Sequence, residues 1–136
     1  MKYLLDTKII SDIVRNPRGI VSDRFVAAES GAVGTSIIAA AELRFGYVRV
    51  GSQNLERSIE AILRDIEVAS FEPPADMTYA RIRTLMESRG LSVGQNDMLI
   101  AAHALALQAV LVTNDRIFSH VPGLKVENWL RPQVVE

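Results

Sequence analysis

The sequence contains no cysteine and only two histidines, His103 and His120. The absence of cysteine excludes disulfide bonds and thiolate chemistry, and so few possible ligands disfavour a tetrahedral zinc site. The chain also lacks the roughly 18 uninterrupted apolar residues that a membrane span requires. Its start, MKYLLD, holds an apolar run that is too short for a signal peptide. We therefore expect a cytoplasmic protein with no membrane partner.

The common nucleotide-binding signatures are missing as well. The sequence contains neither GKS or GKT nor a GxGxxG run, which argues against a P-loop or a dinucleotide-binding enzyme. The formal net charge of −1 gives no indication of a nucleic acid partner. Arginine accounts for 12 of the 15 basic residues, and arginine forms forked contacts with phosphate. A genome that favours arginine codons would explain the same bias.

The length of 136 residues predicts one domain over residues 1–136, with a frayed tail over residues 131–136. Short apolar runs rich in β-forming residues alternate with helical patterns, which is typical of βαβ units. We therefore predict a three-layer α/β/α domain with a mainly parallel sheet of four to five strands. The predicted strands are 2–6, 32–37, 67–71, 109–115 and 125–129, and the predicted helices are 8–15, 22–30, 37–50, 53–65, 74–88 and 96–107.

Two acids end predicted strands: Asp6 closes KYLLD and Asp115 closes AVLVTND. Crossovers between parallel strands are right-handed, so the carboxyl ends of the strands share one edge of the sheet, where ligands bind. Aspartate is also a preferred cap for the helix or turn that follows a strand. Either acid alone therefore does not establish a site.

Two further acids belong to helices that leave the same edge. Asp97, in LSVGQNDMLIAAHALA, is in phase with the apolar side of its helix. The alternative is a first-turn acid favoured by the helix dipole, with Asn96 or Ser92 as the cap. Glu42, in TSIIAAAELRFG, has non-polar residues one turn before and one turn after it. Burying its charge there would be costly, so we expect a cation to neutralise it.

Taken together, the four acids predict a metal site. Carboxylates that converge on one cleft repel each other, and a hard divalent cation with oxygen ligands, Mg²⁺ or Mn²⁺, relieves that repulsion. Such an ion keeps water molecules and neutralises phosphate charge, so we expect phosphodiester hydrolysis. Ser36, Thr113 and Asn114 would orient the carboxylates or a water molecule; the alternative is that they only make hydrogen bonds at strand ends.

Four separated segments carry a resemblance to a known family. They read LLDTKIIS, TSIIAAAELRFG, GQNDMLIAAHAL and LVTNDRIFSHVPGLKVENW, and they extend from residue 3 to about residue 129. In order and spacing they resemble the PIN-domain ribonucleases, and specifically the VapC toxins of bacterial type II toxin–antitoxin pairs. The resemblance implies a PIN-like α/β/α fold.

The resemblance also implies an activity, a cofactor and partners. The implied protein is a Mg²⁺- or Mn²⁺-dependent endoribonuclease toxin that cuts structured cellular RNA, often tRNA. Asp6, Glu42, Asp97 and Asp115 match the acidic quartet of the family, with Asp6 and Asp97 as direct metal ligands. A VapB-like antitoxin would wrap the toxin and push a C-terminal segment into the acidic cleft, and a homodimer is expected.

One position departs from the family pattern. The family usually reads LLDTN, whereas this chain reads LLDTK with Lys8. An ammonium group near four carboxylates supplies the charge that a metal would supply, without a water molecule to activate. The alternative function is therefore a catalytically impaired PIN module that binds antitoxin or RNA without cutting. A Lys8 side chain that points outward, or that contacts RNA phosphate, would leave the activity intact.

Three further residues have simpler interpretations. Arg116 follows the acid of TND and would hold an RNA phosphate, unless it is an ordinary surface arginine. His103 is interpreted as packed on the side of its helix, because the acids already supply the chemistry and buried histidines commonly find a hydrogen bond. Trp129 is interpreted as an anchor for the last strand.

Overall fold

Five short strands form one parallel sheet in the computed structural model, which describes residues 1–131. The strand order is β3-β2-β1-β4-β5, and every neighbouring pair is parallel. The predicted parallel sheet is confirmed with five strands, although each strand is shorter than predicted. The strands are β1 (Tyr3–Leu5), β2 (Val33–Ser36), β3 (Glu67–Ala69), β4 (Val110–Val112) and β5 (Val126–Glu127).

Six α-helices connect and cover the strands. The bounds of α3 and α4 agree with the prediction, and the other helices differ from it by one to three residues at their ends. The helices are α1 (Thr7–Arg15), α2 (Ile20–Ala27), α3 (Ile37–Val50), α4 (Gln53–Asp65), α5 (Ala75–Ser88) and α6 (Gln95–Ala106).

A short 3₁₀ helix, Arg116–His120, was not predicted. The prediction extended the fourth strand through residue 115, but β4 ends at Val112. The reason is local: the Asp115 amide donates to Thr113 Oγ1 at 3.1 Å, and Asp115 Oδ1 accepts from the Ile117 amide at 3.1 Å. Side-chain hydrogen bonds of this kind compete with the strand ladder and start a turn.

Apolar side chains are buried on both faces of the sheet. Leu4 and Leu111 pack with α5 and α6 on one face, while Leu5 and Val112 pack with α1 and α4 on the other. Successive strand residues point to opposite faces, so a strand with helices on both sides is continuously apolar. This arrangement confirms the predicted three layers.

Trp129 lies just beyond β5 and is 4% exposed. Its ring meets the Tyr3 ring edge-on, with centroids 5.4 Å apart, which confirms its interpretation as an anchor for the last strand. Residues 132–136, which include most of the predicted frayed tail, lie outside the described residues. In the described part, no helix combines the length and the apolar character needed to cross a membrane.

A buried polar contact links α6 to the end of β2. His103 is 1% exposed, and its Nδ1 lies 2.7 Å from Ser36 Oγ. Its ring packs edge-on against Phe71, with centroids 5.1 Å apart. Within the described residues, Nε2 has no hydrogen-bond partner. Burial lowers the pKa of His103 from its ordinary value of 6.5. The interpretation of His103 as a packed residue is confirmed.

This buried histidine predicts a stability loss in acid. Its folded-state pKa is depressed, so the unfolded chain takes up the proton first and stability falls as the pH drops below 6.5. The variant His103→Gln keeps a hydrogen-bonding group that does not titrate. Between pH 7.5 and 5.5, native protein should lose more unfolding free energy than His103→Gln, by at most about 1.4 kcal/mol, the limit for one group that titrates only in the unfolded chain. Urea unfolding at both pH values measures the difference.

The exposed histidine provides a matched control. His120→Gln removes an imidazole that faces solvent, so this variant should follow the native protein. If native protein and His103→Gln lost equal stability on acidification, the buried imidazole would not be the source of the pH dependence.

Candidate active site

Asp6 lies between the central strand β1 and the helix α1. Its Oδ1 accepts from the Ile9 amide at 2.9 Å, so it is the N-cap of α1. The side chain is buried at 6% exposure. Burial raises the pKa of this carboxyl; the Thr113 hydroxyl and the Ile9 amide oppose the rise, and the nearby charge of Asp97 adds to it. Capping and site membership are therefore compatible, because capping occupies one carboxylate oxygen.

Asp97 is the third residue of α6 and is half-buried. The alternative interpretation of Asp97 as a first-turn acid matches this position, but the cap is neither Asn96 nor Ser92: the N-cap is Gly94, which has no side chain to offer. Asp97 lies against this glycine, since a Cβ placed there would be 3.7 Å from Asp97 Oδ2. Burial raises the pKa of Asp97, the charge of Lys8 lowers it, and the charge of Asp115 raises it.

The TND segment contributes Asp115 as the N-cap of the 3₁₀ helix. Thr113 is buried with its hydroxyl between Asp6 and the Asp115 amide. Its predicted orienting role therefore has a contact that supports it. Asn114 and Arg116 are exposed beside these residues.

Glu42 departs from its predicted surroundings. It is half-buried, not enclosed, and Phe45 one turn later is 64% exposed. We expected a cationic partner, but the described part of the chain gives Glu42 a neutral one: the Thr7 hydroxyl donates to Glu42 Oε1 at 2.9 Å. Partial exposure explains the difference, because a carboxylate that stays in contact with solvent does not require a cationic partner. Thr7 directly follows Asp6, so this bond brings the end of β1 and α3 together.

Ser36 is the last residue of β2, and the pairing of β1 with β2 places it next to Asp6. Its Oγ accepts from the Ile38 amide at 3.0 Å and contacts His103 Nδ1. These contacts match the alternative interpretation of Ser36, which was hydrogen bonding at a strand end.

Lys8 is the second residue of α1 and is exposed. Its charge lowers the pKa of both Asp6 and Asp97. Among residues 1–131, no carboxylate lies within ion-pair distance of the Lys8 ammonium group. Lys8 therefore acts on the acids through space, without a direct contact.

The carboxylates near Asp6 suit a Mg²⁺ site in which water fills part of the coordination shell, and not a site made entirely of protein ligands. Over the described residues, no three His, Asp or Glu side chains are close enough together to hold an ion. Burial nevertheless raises the pKa of both Asp6 and Asp97, and the charge of Asp97 raises the pKa of Asp6 further. Mg²⁺ is commonly held by one or two carboxylates and keeps several water molecules, so two such acids are sufficient for it.

Sequence reasoning missed two contributors. Thr7 orients Glu42, and Gly94 lies against Asp97 without a side chain of its own. The position of Thr7, directly after Asp6, could have indicated its role, because a hydroxyl there lies at the same edge of the sheet as the acid. Gly94 carried only the general signal of a glycine near a helix start.

Comparisons with known proteins place the chain in a family. The PIN domain family model matches residues 3–124. Ribonuclease VapC2 of Rickettsia felis is 34% identical, over 95% of this chain and 98% of the relative. The tRNA(fMet)-specific endonuclease VapC of Shigella flexneri is 32% identical, over 95% and 98%.

A solved structure agrees with these relatives. The VapBC2 complex from Rickettsia felis, bound to a promoter DNA fragment, contains a chain with a TM-score of 0.86 and 32% identity. The match covers 95% of this chain and 99% of that one. With a family model that matches most of its length and near-complete relatives above 30% identity, the chain belongs to the PIN-domain family and, within it, to the VapC ribonucleases of toxin–antitoxin systems.

Proposed function

We propose that this chain is a Mg²⁺- or Mn²⁺-dependent endoribonuclease toxin that hydrolyses phosphodiester bonds in structured RNA. The observation that carries the proposal is the pair Asp6 and Asp97, two carboxyls from different elements whose pKa values burial raises at the same edge of the sheet. Paired carboxyls with perturbed pKa values in a cleft are a common feature of active sites.

Asp6 and Asp97 would hold the ion, with Asp115 within electrostatic reach of Asp97. A bound Mg²⁺ or Mn²⁺ neutralises phosphate charge and makes a coordinated water molecule more acidic. The Ile9 amide fixes the orientation of Asp6. The Thr7 hydroxyl fixes one oxygen of Glu42, which leaves the other oxygen to accept a proton from the attacking water.

The substrate we propose is tRNA. The Shigella flexneri relative is named as a tRNA(fMet)-specific endonuclease, and this chain covers nearly all of that relative. Arg116 is exposed directly after Asp115, where its guanidinium would form forked contacts with a backbone phosphate. Contacts of this type position a nucleic acid without reading its sequence.

Replacing Asp97 with asparagine tests the proposed site. The substitution removes one negative charge and keeps the shape, so tRNA cleavage should fall about 100-fold or more, since even indirect supports of a metal site cost 10- to 100-fold. Cleavage of total tRNA by purified chain, with Mg²⁺ or Mn²⁺ and then with EDTA, measures both the loss and the metal requirement.

Asp76→Asn is the matched control, because Asp76 is also a first-turn acid, but in α5, and is exposed. It should cleave like the native chain. Cleavage that persists in EDTA would contradict the metal requirement, and full activity of Asp97→Asn would contradict the assignment of that carboxylate.

A second candidate function, the impaired PIN module, is favoured by the charge of Lys8. It acts on both Asp6 and Asp97, and a positive charge near two metal ligands repels a divalent cation. A chain with weakened metal affinity would bind antitoxin or RNA and cut poorly.

Lys8→Asn separates these two functions. Removing the charge should tighten Mn²⁺ binding about tenfold, the effect of roughly 1.4 kcal/mol from one nearby charge. Isothermal titration with Mn²⁺ measures the affinity directly, independently of cleavage, and the tRNA assay is run in parallel. Lys2→Asn, at the exposed amino end of β1, is the control.

The Mn²⁺ affinity and the tRNA cleavage together distinguish the active toxin from the impaired module. Tighter Mn²⁺ binding with a gain in cleavage supports the impaired module. Unchanged Mn²⁺ affinity would show that the Lys8 ammonium does not influence the ion. Strong native cleavage that Lys8→Asn leaves unaltered would support the active toxin.

We further propose a VapB-like antitoxin as the partner. Several solved relatives are VapBC complexes. In this chain, a groove of about 260 Å³ runs between α1, α3 and α4 and ends at Thr7 and Glu42. Its walls include Val14, Leu43 and Ile59. Glu42 is the one acid of this lining and Arg15 the one base. An apolar groove with Glu42 at its end suits an amphipathic segment that carries a basic residue near that end.

Gly46 allows a sharp test of this groove. It lines the groove within α3, and a Cβ added there meets no atom within 4 Å. Gly46→Arg should therefore fold, fill the groove and weaken antitoxin binding at least tenfold, since buried interface positions commonly cost more than about 1.4 kcal/mol. The measurement is co-purification and titration with the small DNA-binding protein expected to be encoded beside the toxin.

Val48→Arg is the control, because Val48 lies on the same helix, is 70% exposed and does not line the groove. It should bind like the native chain. A native chain that forms no complex would contradict the partner, whereas equal binding by Gly46→Arg would contradict the groove. The homodimer implied by the resemblance stays a prediction.

A further inference from the structure

A second groove lies at the start of α6, the helix that carries Asp97. It is formed by the last turns of α5, the loop 89–94 and the first residues of α6, and it has a volume of about 360 Å³, within the range of small-ligand sites. Gln95 and Met98, which line it, flank Asp97 in the sequence. The Asp97 carboxylate faces the same loop, because its Oδ2 lies beside Gly94. The groove and the Asp97 carboxylate therefore share the loop and the first turn of α6, although Asp97 itself does not line the groove.

The walls of this groove combine apolar and polar surfaces. Leu91, Val93 and Met98 form an apolar side that is packed onto the core. Ser92 and Gln95, both exposed, add polar side chains to the lining. A nucleobase has the same division, with apolar faces and a polar edge, and unpaired bases are recognised by stacking together with hydrogen bonds to that edge.

Arg83 supplies a flat, fixed surface beside the groove. Its Nε donates to Glu87 at 2.9 Å and its Nη1 donates to the Tyr79 hydroxyl, which holds the guanidinium in place. Glu87 also compensates its charge, so the groove does not depend on attraction to phosphate. A held guanidinium plane is a stacking partner for a base.

The loop leaves hydrogen-bonding capacity unused. Among the described residues, the amides of Ser92 and Val93 donate to no backbone acceptor, and Gln95 makes no side-chain hydrogen bond that would restrain it. Gln95 is the first residue of α6 and its amide group carries both donors and an acceptor. It is therefore able to distinguish the polar edges of different bases.

We propose that this groove binds the unpaired base of the nucleotide next to the scissile phosphate, with Gln95 reading its polar edge. The inference rests on the proposed ribonuclease function and deepens it. It makes the segment 91–98, which also carries Asp97, a specificity element of the proposed ribonuclease. A purely structural loop would show no base preference linked to Gln95.

The test uses Gln95→Leu, which keeps the size of the side chain and removes its polar group. Gln53→Leu is the matched control, because Gln53 is also an exposed first residue of a helix, α4. The cut site is first mapped on tRNA. Oligonucleotides with each of the four bases on either side of that site are then compared by KM and kcat. Binding to the Asp97→Asn chain is measured by fluorescence anisotropy, with and without each glutamine substitution.

The native chain should prefer one base at one flanking position by about tenfold, roughly the effect of one specific hydrogen bond. Gln95→Leu should lose this preference through a higher KM for the preferred base, while Gln53→Leu keeps it. A preference that survives in Gln95→Leu, or a native chain without any preference, would overturn the proposal.

The binding measurement separates this inference from the proposed function. If the native chain cuts no RNA, the ribonuclease proposal fails on its own. The groove is then judged by anisotropy alone: weaker RNA binding with Gln95→Leu but not with Gln53→Leu supports it. Equal binding by both variants, or no RNA binding at all, overturns it.

Discussion

The hydrogen bond from the Ile9 amide to Asp6 Oδ1 fixes both the start of α1 and the position of the candidate site. Asp6 directly follows β1, the central strand of the sheet, which has β2 and β4 on either side. A carboxylate that caps the following helix is held in one orientation. Around this fixed group, the charge of Asp97 acts on Asp6, the charge of Asp115 acts on Asp97, and Glu42 is bonded to Thr7, the next residue.

The burial of Asp6 and Asp97 makes their ionisation less favourable. Water is partly removed from Asp6 and Asp97, so their charged forms are disfavoured and their pKa values rise. The fold offsets part of this cost with the Ile9 amide and the Thr113 hydroxyl at Asp6, and with the distant charge of Lys8 at both acids. A bound cation would offset the rest. In the proposed function, the charge of Lys8 would act against that cation.

Two grooves flank the acids, and their linings differ. The groove between α1, α3 and α4 is mainly apolar and reaches Thr7 and Glu42. The groove beside α6 adds polar groups from Ser92 and Gln95 to its apolar wall. An amphipathic protein segment suits the first lining and a nucleobase suits the second. An inhibitor and a substrate would thus approach the same acids from different sides.

Residue patterns alone determined the alternation of strands and helices, the parallel sheet and the placement of Asp6 at the end of the first strand, because these follow from local periodicity and the geometry of crossovers. Asp115 instead lies three residues beyond β4, where its side chain caps a 3₁₀ helix. The motifs LLDT, AAEL, QND and TND in that order identified the family. Tertiary structure decided the surroundings of each acid. The packing of α1, α3, α5 and α6 determines the exposure of Glu42 and its contact with Thr7. It also determines the glycine cap beside Asp97 and the two grooves, because packing joins residues that are distant in the sequence.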